Sequence, residues 1–166
     1  MGKKSSIESN IEKAISKKFT GPFALTSLEN IDLKDVQFDF DKCETIIVDD
    51  QKKLDLAYND IQQSDIISVD LENYNQGIKS YEGFLCLMQI TIVSKESNIL
   101  KTYVVDLIEL KDQIYDTLGK NVFENPEILK VMHSSASNDI GWLQRDFGVM
   151  IANVFDIQFI HGKTTL

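Results

Sequence analysis

The segment Asp65-Ile66-Ile67-Ser68-Val69-Asp70-Leu71-Glu72 is followed, after a polar loop, by Phe84-Leu85-Cys86-Leu87-Met88-Gln89-Ile90. The first run is an apolar strand that ends in two carboxylates, Asp70 and Glu72. Residues two apart on a strand point to the same face, so the two acids stand side by side. Their charges repel, and oxygen-preferring divalent cations would remove that repulsion. A solvated edge or a salt-bridge anchor is the plainer reading of the same pair.

Working outward, residues 45–48 read as a short strand. A helix follows, capped by Asp49 or Asp50 and running to about Gln62, with Leu54, Ala57, Tyr58 and Ile61 on its buried face. Residues 66–71, 84–93 and 102–107 are strand-like runs whose connections are too short for helices, which favours antiparallel neighbours. The pattern then alternates. Leu110, Ile114, Thr117 and Leu118 mark a helix that ends at Gly119, and Asn125-Pro126 opens a turn. Residues 128–133 form a strand, and residues 137–147 a helix with Ile140, Leu143 and Phe147 inward. Gly148 caps that helix, and residues 153–157 form a last strand. An antiparallel unit followed by β/α units predicts an α/β domain with a mixed sheet.

The chain has 166 residues, enough for one domain and an arm. In the arm, residues 1–43, Ser5 and Glu8 form a capping box. Ile7, Ile11, Ile15 and Phe19 share a helical face, Gly21-Pro22 stops the helix, and an extended lead-in follows. The arm either packs on the domain or binds a partner. The domain itself is expected over residues 44–166. Net charge is −9, although the first twenty residues hold five lysines and two glutamates. That balance argues against holding nucleic acid by bulk electrostatics. No apolar run approaches the roughly 20 residues that span a bilayer, so no membrane partner is expected, and the N-terminus lacks the apolar core of a secretory signal. Cys43 and Cys86 read as buried free thiols rather than a disulfide, and no Cys/His cluster suggests structural zinc. Glycine-rich phosphate loops of the known patterns are absent.

Asp139 is the next candidate for chemistry. It opens a helix just past the strand ending at His133, at the sheet edge where α/β proteins place ligands. Its plainer role is a carboxylate facing the helix dipole. His133 either orients a neighbour or is a hydrogen-bonded core histidine. Ser134, Ser135 and Ser137 fit loop and cap duty, without a nucleophile elbow. Trp142 is packing or surface. Asp106 and Asp156 read as structural carboxylates.

The ordered set Val69-Asp70-Leu71-Glu72, Cys86-Leu87-Met88-Gln89-Ile90, Val104-Val105-Asp106, Lys130-Val131-Met132-His133, Asp139-Ile140-Gly141-Trp142-Leu143-Gln144-Arg145-Asp146-Phe147-Gly148 and Phe155-Asp156 resembles the ribonuclease D family. The likeness is nearest to its eukaryotic branch associated with the nuclear exosome. It covers about residues 44–158. It implies a ribonuclease H-like fold and 3′→5′ exonuclease chemistry on RNA, in the nucleus, with exosome components as partners. In that family acidic residues hold two divalent cations, Mg²⁺ or Mn²⁺. By motif match, Asp70, Glu72 and Asp139 are the catalytic and metal-binding acids. The single-stranded RNA 3′ end would lie against Leu71, His133, Met88 and Trp142.

The sequence departs from the family in three places. Five residues separate His133 from Asp139 where the family has four. Asn73-Tyr74-Asn75 stands where the closest branch has histidines. The family's final Tyr-x-x-x-Asp motif has no match among the residues after Asp156. The expectation is therefore an exonuclease domain impaired by lacking its fourth acid and its tyrosine. The alternative is a non-catalytic pseudoexonuclease module that binds RNA or a protein. A small-molecule enzyme using Asp70 and Glu72 as acid and base would leave the motif series unexplained.

Overall fold

The structure is a computed structural model and describes residues 42–74, 83–94, 99–136 and 138–158. All of them fall within the unit Asp39–Leu166. The expected N-terminal helix and nearly all of the lead-in lie outside the described residues. So do most of the two polar loops that flank the third strand.

Six strands form one mixed sheet: β1 (Glu44–Val48), β2 (Ile66–Tyr74), β3 (Phe84–Val93), β4 (Leu100–Asp106), β5 (Leu129–Met132) and β6 (Val154–Asp156). Their order is β1-β4-β3-β2-β5-β6. β2, β3 and β4 pair antiparallel, as the short connections required. The pairs β1–β4, β2–β5 and β5–β6 are parallel and need crossovers. Those crossovers carry the helices α1 (Gln51–Ile61), α2 (Lys111–Ile114) and α3 (Asp139–Phe147). This is the α/β mixed-sheet architecture expected from the sequence.

Strand alternation sorts the residues between two faces. Val69 and Leu71 on β2, Met88 and Ile90 on β3, and Tyr103 and Val105 on β4 are all buried. Against that face pack Leu54 and Ile61 of α1 and Leu143 of α3, all fully buried. The opposite face carries Asp70 and Glu72, both exposed, and Ile47 at 62% exposure. The sheet thus has a covered side and a side that presents carboxylates.

Two helix ends follow their sequence signals. Asp50 caps α1 by accepting from the Lys53 backbone N–H at 2.8 Å. Gly148 ends α3 at φ 69°. The helix after β4 does not stop at Gly119. Beyond Ile114 it widens into a π-helix, Tyr115–Phe123, in which the Glu124 N–H reaches back to the Gly119 carbonyl at 2.9 Å. Asn121 Nδ2 supports the wide turns by donating to the carbonyls of Asp116 and Thr117. Gly119 is an interior packing residue. A Cβ there would meet Val149 Cγ2 at 2.9 Å.

Candidate active site

β2 brings Asp70 and Glu72 to the open face, because Val69 and Leu71 between and beside them take the core. Asp70 pairs with Gln89 and Glu72 with Leu87 across the β2–β3 ladder. The third acid comes from another element. Asp139 stands in the first turn of α3 and is only 9% exposed. Its carboxyl is pushed up to about 6, first by burial and then by the charges of Asp70, Asp156 and Glu72. A carboxylate that met only a helix dipole would shift the other way. Burial leads that rise, and the charges of Asp70 and Glu72 on β2 and of Asp156 on β6 add to it.

The loop between β5 and α3 sets where Asp139 stands. Asp156 on β6 organises it. Its Oδ1 accepts from the Ser134 N–H at 2.8 Å and from the Gln158 N–H at 3.0 Å. Its Oδ2 accepts from the Ser135 hydroxyl at 3.0 Å and from the Ala136 N–H at 3.4 Å. Burial raises the Asp156 carboxyl, and these hydrogen bonds more than offset that, holding it below the usual range. Ser134 adopts φ 57° in this turn. The structural reading of Asp156, Ser134 and Ser135 thus matches what these bonds do, and Ser137 lies outside the described residues. Asp106 likewise closes a turn, accepting from the N–H groups of Ile108 and Glu109.

The other candidates are dispersed. His133 is exposed directly after β5, so it is not a buried core histidine. Trp142 is half-buried and packs against the core. Leu71 and Met88 point into the core, at 6% and 0% exposure, away from the carboxylate face. Alternation along a strand requires this, since Leu71 lies between Asp70 and Glu72. Cys43 and Cys86 are free thiols, as expected, but half-buried where burial was expected.

One feature had no sequence signal. β2 and β3 slip register between Glu72 and Asn73, where Glu72 pairs with Leu87 but Asn73 pairs with Leu85. Cys86 is the extra residue of this bulge. Beside it both polar atoms of the Asn73 amide are buried without a hydrogen-bond partner among the described residues. Gly83 makes room for that amide at φ 62°, because a Cβ there would meet Asn73 Oδ1 at 2.3 Å.

Carboxylates are hard oxygen donors, and the shared field around Asp139 is one that divalent cations would relieve. Among the described residues no three His, Cys, Asp or Glu side chains are grouped tightly enough to enclose a metal ion. The fit is to an open site, in which one or two carboxylates share an ion with water and phosphate oxygens. No helix among the described residues is long and apolar enough to cross a membrane.

Comparison with known proteins agrees with this fold. A family model described as 3′-5′ exonuclease matches residues 45–165. The chain is similar to the exosome complex exonuclease RRP6 of Saccharomyces cerevisiae, 36% identical over 117 residues, covering 70% of this chain and 14% of that protein. It is similar also to the exosome complex component 10 homolog of Drosophila melanogaster, 33% identical over 113 residues, covering 68% of this chain and 11% of that one. Among solved structures, the catalytic core of RRP6 from Trypanosoma brucei superposes with a TM-score of 0.60 at 34% identity, covering 72% of this chain and 30% of that chain. Trypanosoma brucei ribonuclease D in its GMP complex, 22% identical, shares the fold with a TM-score of 0.62, covering 71% of this chain and 34% of that chain. The chain thus spans a small part of the curated relatives it matches. Its ordered motifs, its mixed sheet and the family match agree: the chain belongs to the 3′-5′ exonuclease family.

Proposed function

We propose that this domain removes nucleotides from the 3′ end of single-stranded RNA, in RNA processing or decay, with Asp70, Glu72 and Asp139 as the acids that hold divalent cations. The observation that carries this is the side-by-side exposure of Asp70 and Glu72 on β2 in a chain of the 3′-5′ exonuclease family, and the charge of both acids adds to the burial that raises Asp139. Two cations, Mg²⁺ or Mn²⁺, would supply Lewis acidity and an activated water for phosphodiester hydrolysis. The residues themselves do three things. Asp70 and Glu72 present two acceptors side by side on a rigid strand. Asp156 and Ser135 fix the loop that delivers Asp139. Exposed His133 and half-buried Trp142 flank that delivery and are the side chains proposed to meet the RNA.

Asp156, the further acid in this field, is engaged by hydrogen bonds and acts as the loop's anchor. We therefore infer that the described residues alone bind cations weakly and turn over slowly. The lack of a three-residue metal cluster among them favours a second reading, a pseudoexonuclease that binds RNA without cleaving it. Exosome components as partners are proposed from the relatives' names, and a nuclear location from the ribonuclease D resemblance alone.

The test is degradation of a 5′-labelled single-stranded RNA with Mn²⁺, beside Asp70→Ala. A slow descending ladder that vanishes in the variant supports the exonuclease. RNA binding by a folded chain with no ladder supports the second reading. A ladder unchanged by Asp70→Ala would overturn both.

A further inference from the structure

The bulge at Cys86 does more than interrupt a ladder. Past it, Leu85 turns into the core at 3% exposure, and Phe84 turns to the other face at 44%. Phe84 pairs with Tyr74, which is 50% exposed. The two rings stack with centroids 5.4 Å apart and planes tilted by 47°. By strand alternation Tyr74 shares the face of Glu72 and Asp70. At roughly 3.3 Å per residue, its Cα lies about 7 Å beyond Glu72 and about 13 Å beyond Asp70 along β2. Two half-exposed aromatic rings are costly to leave in water, and a bulge that re-aims a side chain beside a candidate active site is a recurrent device.

Phe84 also borders an open pocket of about 180 Å³, to which Leu107, Ile108 and Phe147 add apolar walls. Exposed Lys111 stands on the same pocket. Its acidic neighbour Asp146 is already held by Arg145, at 2.6 and 2.7 Å. An aromatic ring for a base, an apolar recess and a cation for a phosphate are the ingredients by which proteins hold a single strand without reading its sequence.

We propose that Tyr74 and Phe84 form a stacking platform for one nucleobase of the single-stranded RNA, within a few nucleotides of the end held at Asp70 and Glu72, with Lys111 on the neighbouring phosphate. The inference rests on the RNA reading above and goes beyond it by naming where the strand is gripped. Because every base has a π-face, the platform tolerates any sequence. It also lets a net acidic chain hold RNA by stacking instead of by a basic surface.

The test is equilibrium binding of a short 5′-fluorescein-labelled oligoadenylate to the full chain in EDTA, where cleavage is off. The variants are Tyr74→Ala, Tyr74→Phe and Lys111→Gln, with melting curves confirming each fold. Tyr74→Ala is expected to weaken binding roughly 5- to 150-fold, the range for one lost base–aromatic stack. Tyr74→Phe is expected to bind like the parent, and Lys111→Gln to flatten the salt dependence. A scan of single abasic positions from the 3′ end should find one position whose loss weakens the parent and leaves Tyr74→Ala unchanged. If the parent binds and Tyr74→Ala binds equally well, the platform is wrong and the RNA reading stands. If the folded parent binds no oligoadenylate, both fall together.

Discussion

The Ser135 hydroxyl donates to Asp156 Oδ2 at 3.0 Å, and this bond joins the loop before α3 to the last strand of the sheet. Ser135 is 1% exposed. With the Ser134 and Ala136 N–H groups on the same carboxylate, residues 134–136 ahead of Asp139 are tied to β6. Asp156→Ala is therefore expected to lower the melting temperature. It should also weaken Mn²⁺ binding, although Asp156 is not assigned as a ligand. Ser135→Ala should do both to a lesser degree. Melting curves with and without Mn²⁺ check this, and an unchanged Mn²⁺ response in Asp156→Ala would separate the loop from the site.

Asp139 should make the cation-free fold less stable at neutral pH. Its folded carboxyl sits near 6 while an ordinary aspartate sits near 3.8. Between those values the folded state binds more protons, so its stability rises as pH falls through 6. Below about pH 4 both states are protonated and the penalty is gone. Asp139→Asn is expected to stabilise the EDTA-treated protein at pH 7.5 by about 1–3 kcal/mol, with the gain vanishing near pH 4. Urea unfolding at the two pH values measures it.

Lys130 gives a pH dependence of the opposite sense. It is 0% exposed on β5, and its Nζ donates to the carbonyls of Asn125 and Ile128. Burial pulls it down to about 8. Below pH 8 the folded state holds a buried charge. As pH rises above 8 that charge is lost in the folded state first, so stability rises towards the lysine's ordinary value. Burial raises the Cys86 thiol and the Tyr103 phenol, whose losses begin above about pH 9 and 10. The clean window is thus pH 7.5 to 9. Stability is expected to increase across it by about 1 kcal/mol, and not in Lys130→Met.

The two left-handed glycines among the described residues should respond unequally to alanine. At Gly148, φ 69°, a Cβ meets nothing within 4 Å, so Gly148→Ala carries the left-handed strain of roughly 1 kcal/mol alone. At Gly83 the Cβ would also approach the Tyr74 carbonyl at 2.7 Å and Asn73 Oδ1 at 2.3 Å. Gly83→Ala is expected to be the more destabilising of the two in urea unfolding and to disturb the bulge.

The sheet was legible in the sequence because short connections force antiparallel neighbours and β2 alternates cleanly, with Ile67, Val69 and Leu71 inward. The caps at Asp50 and Gly148 were legible because their backbone chemistry is local. Gly119 misled, since a buried glycine inside a wide helix looks the same in sequence as one that ends it. The pairing of Asp70 with Glu72 followed from spacing, while only the family resemblance joined Asp139 to them, because distance between elements has no local signature. The bulge at Cys86 was invisible for the same reason: it is a property of two strands in register, and no single residue type announces it.

The claim that Asp70, Glu72 and Asp139 share one divalent-cation site is tested most directly by Mn²⁺ titration of the full chain, reading free Mn²⁺ by electron paramagnetic resonance. Asp70→Ala, Glu72→Gln and Asp139→Asn are titrated beside it. The expected result is that the parent takes up Mn²⁺ and each variant takes up less, Asp139→Asn included even though it lies on a different element. Mn²⁺ uptake by Asp139→Asn equal to that of the parent would contradict the shared site and leave Asp70 and Glu72 as an isolated pair.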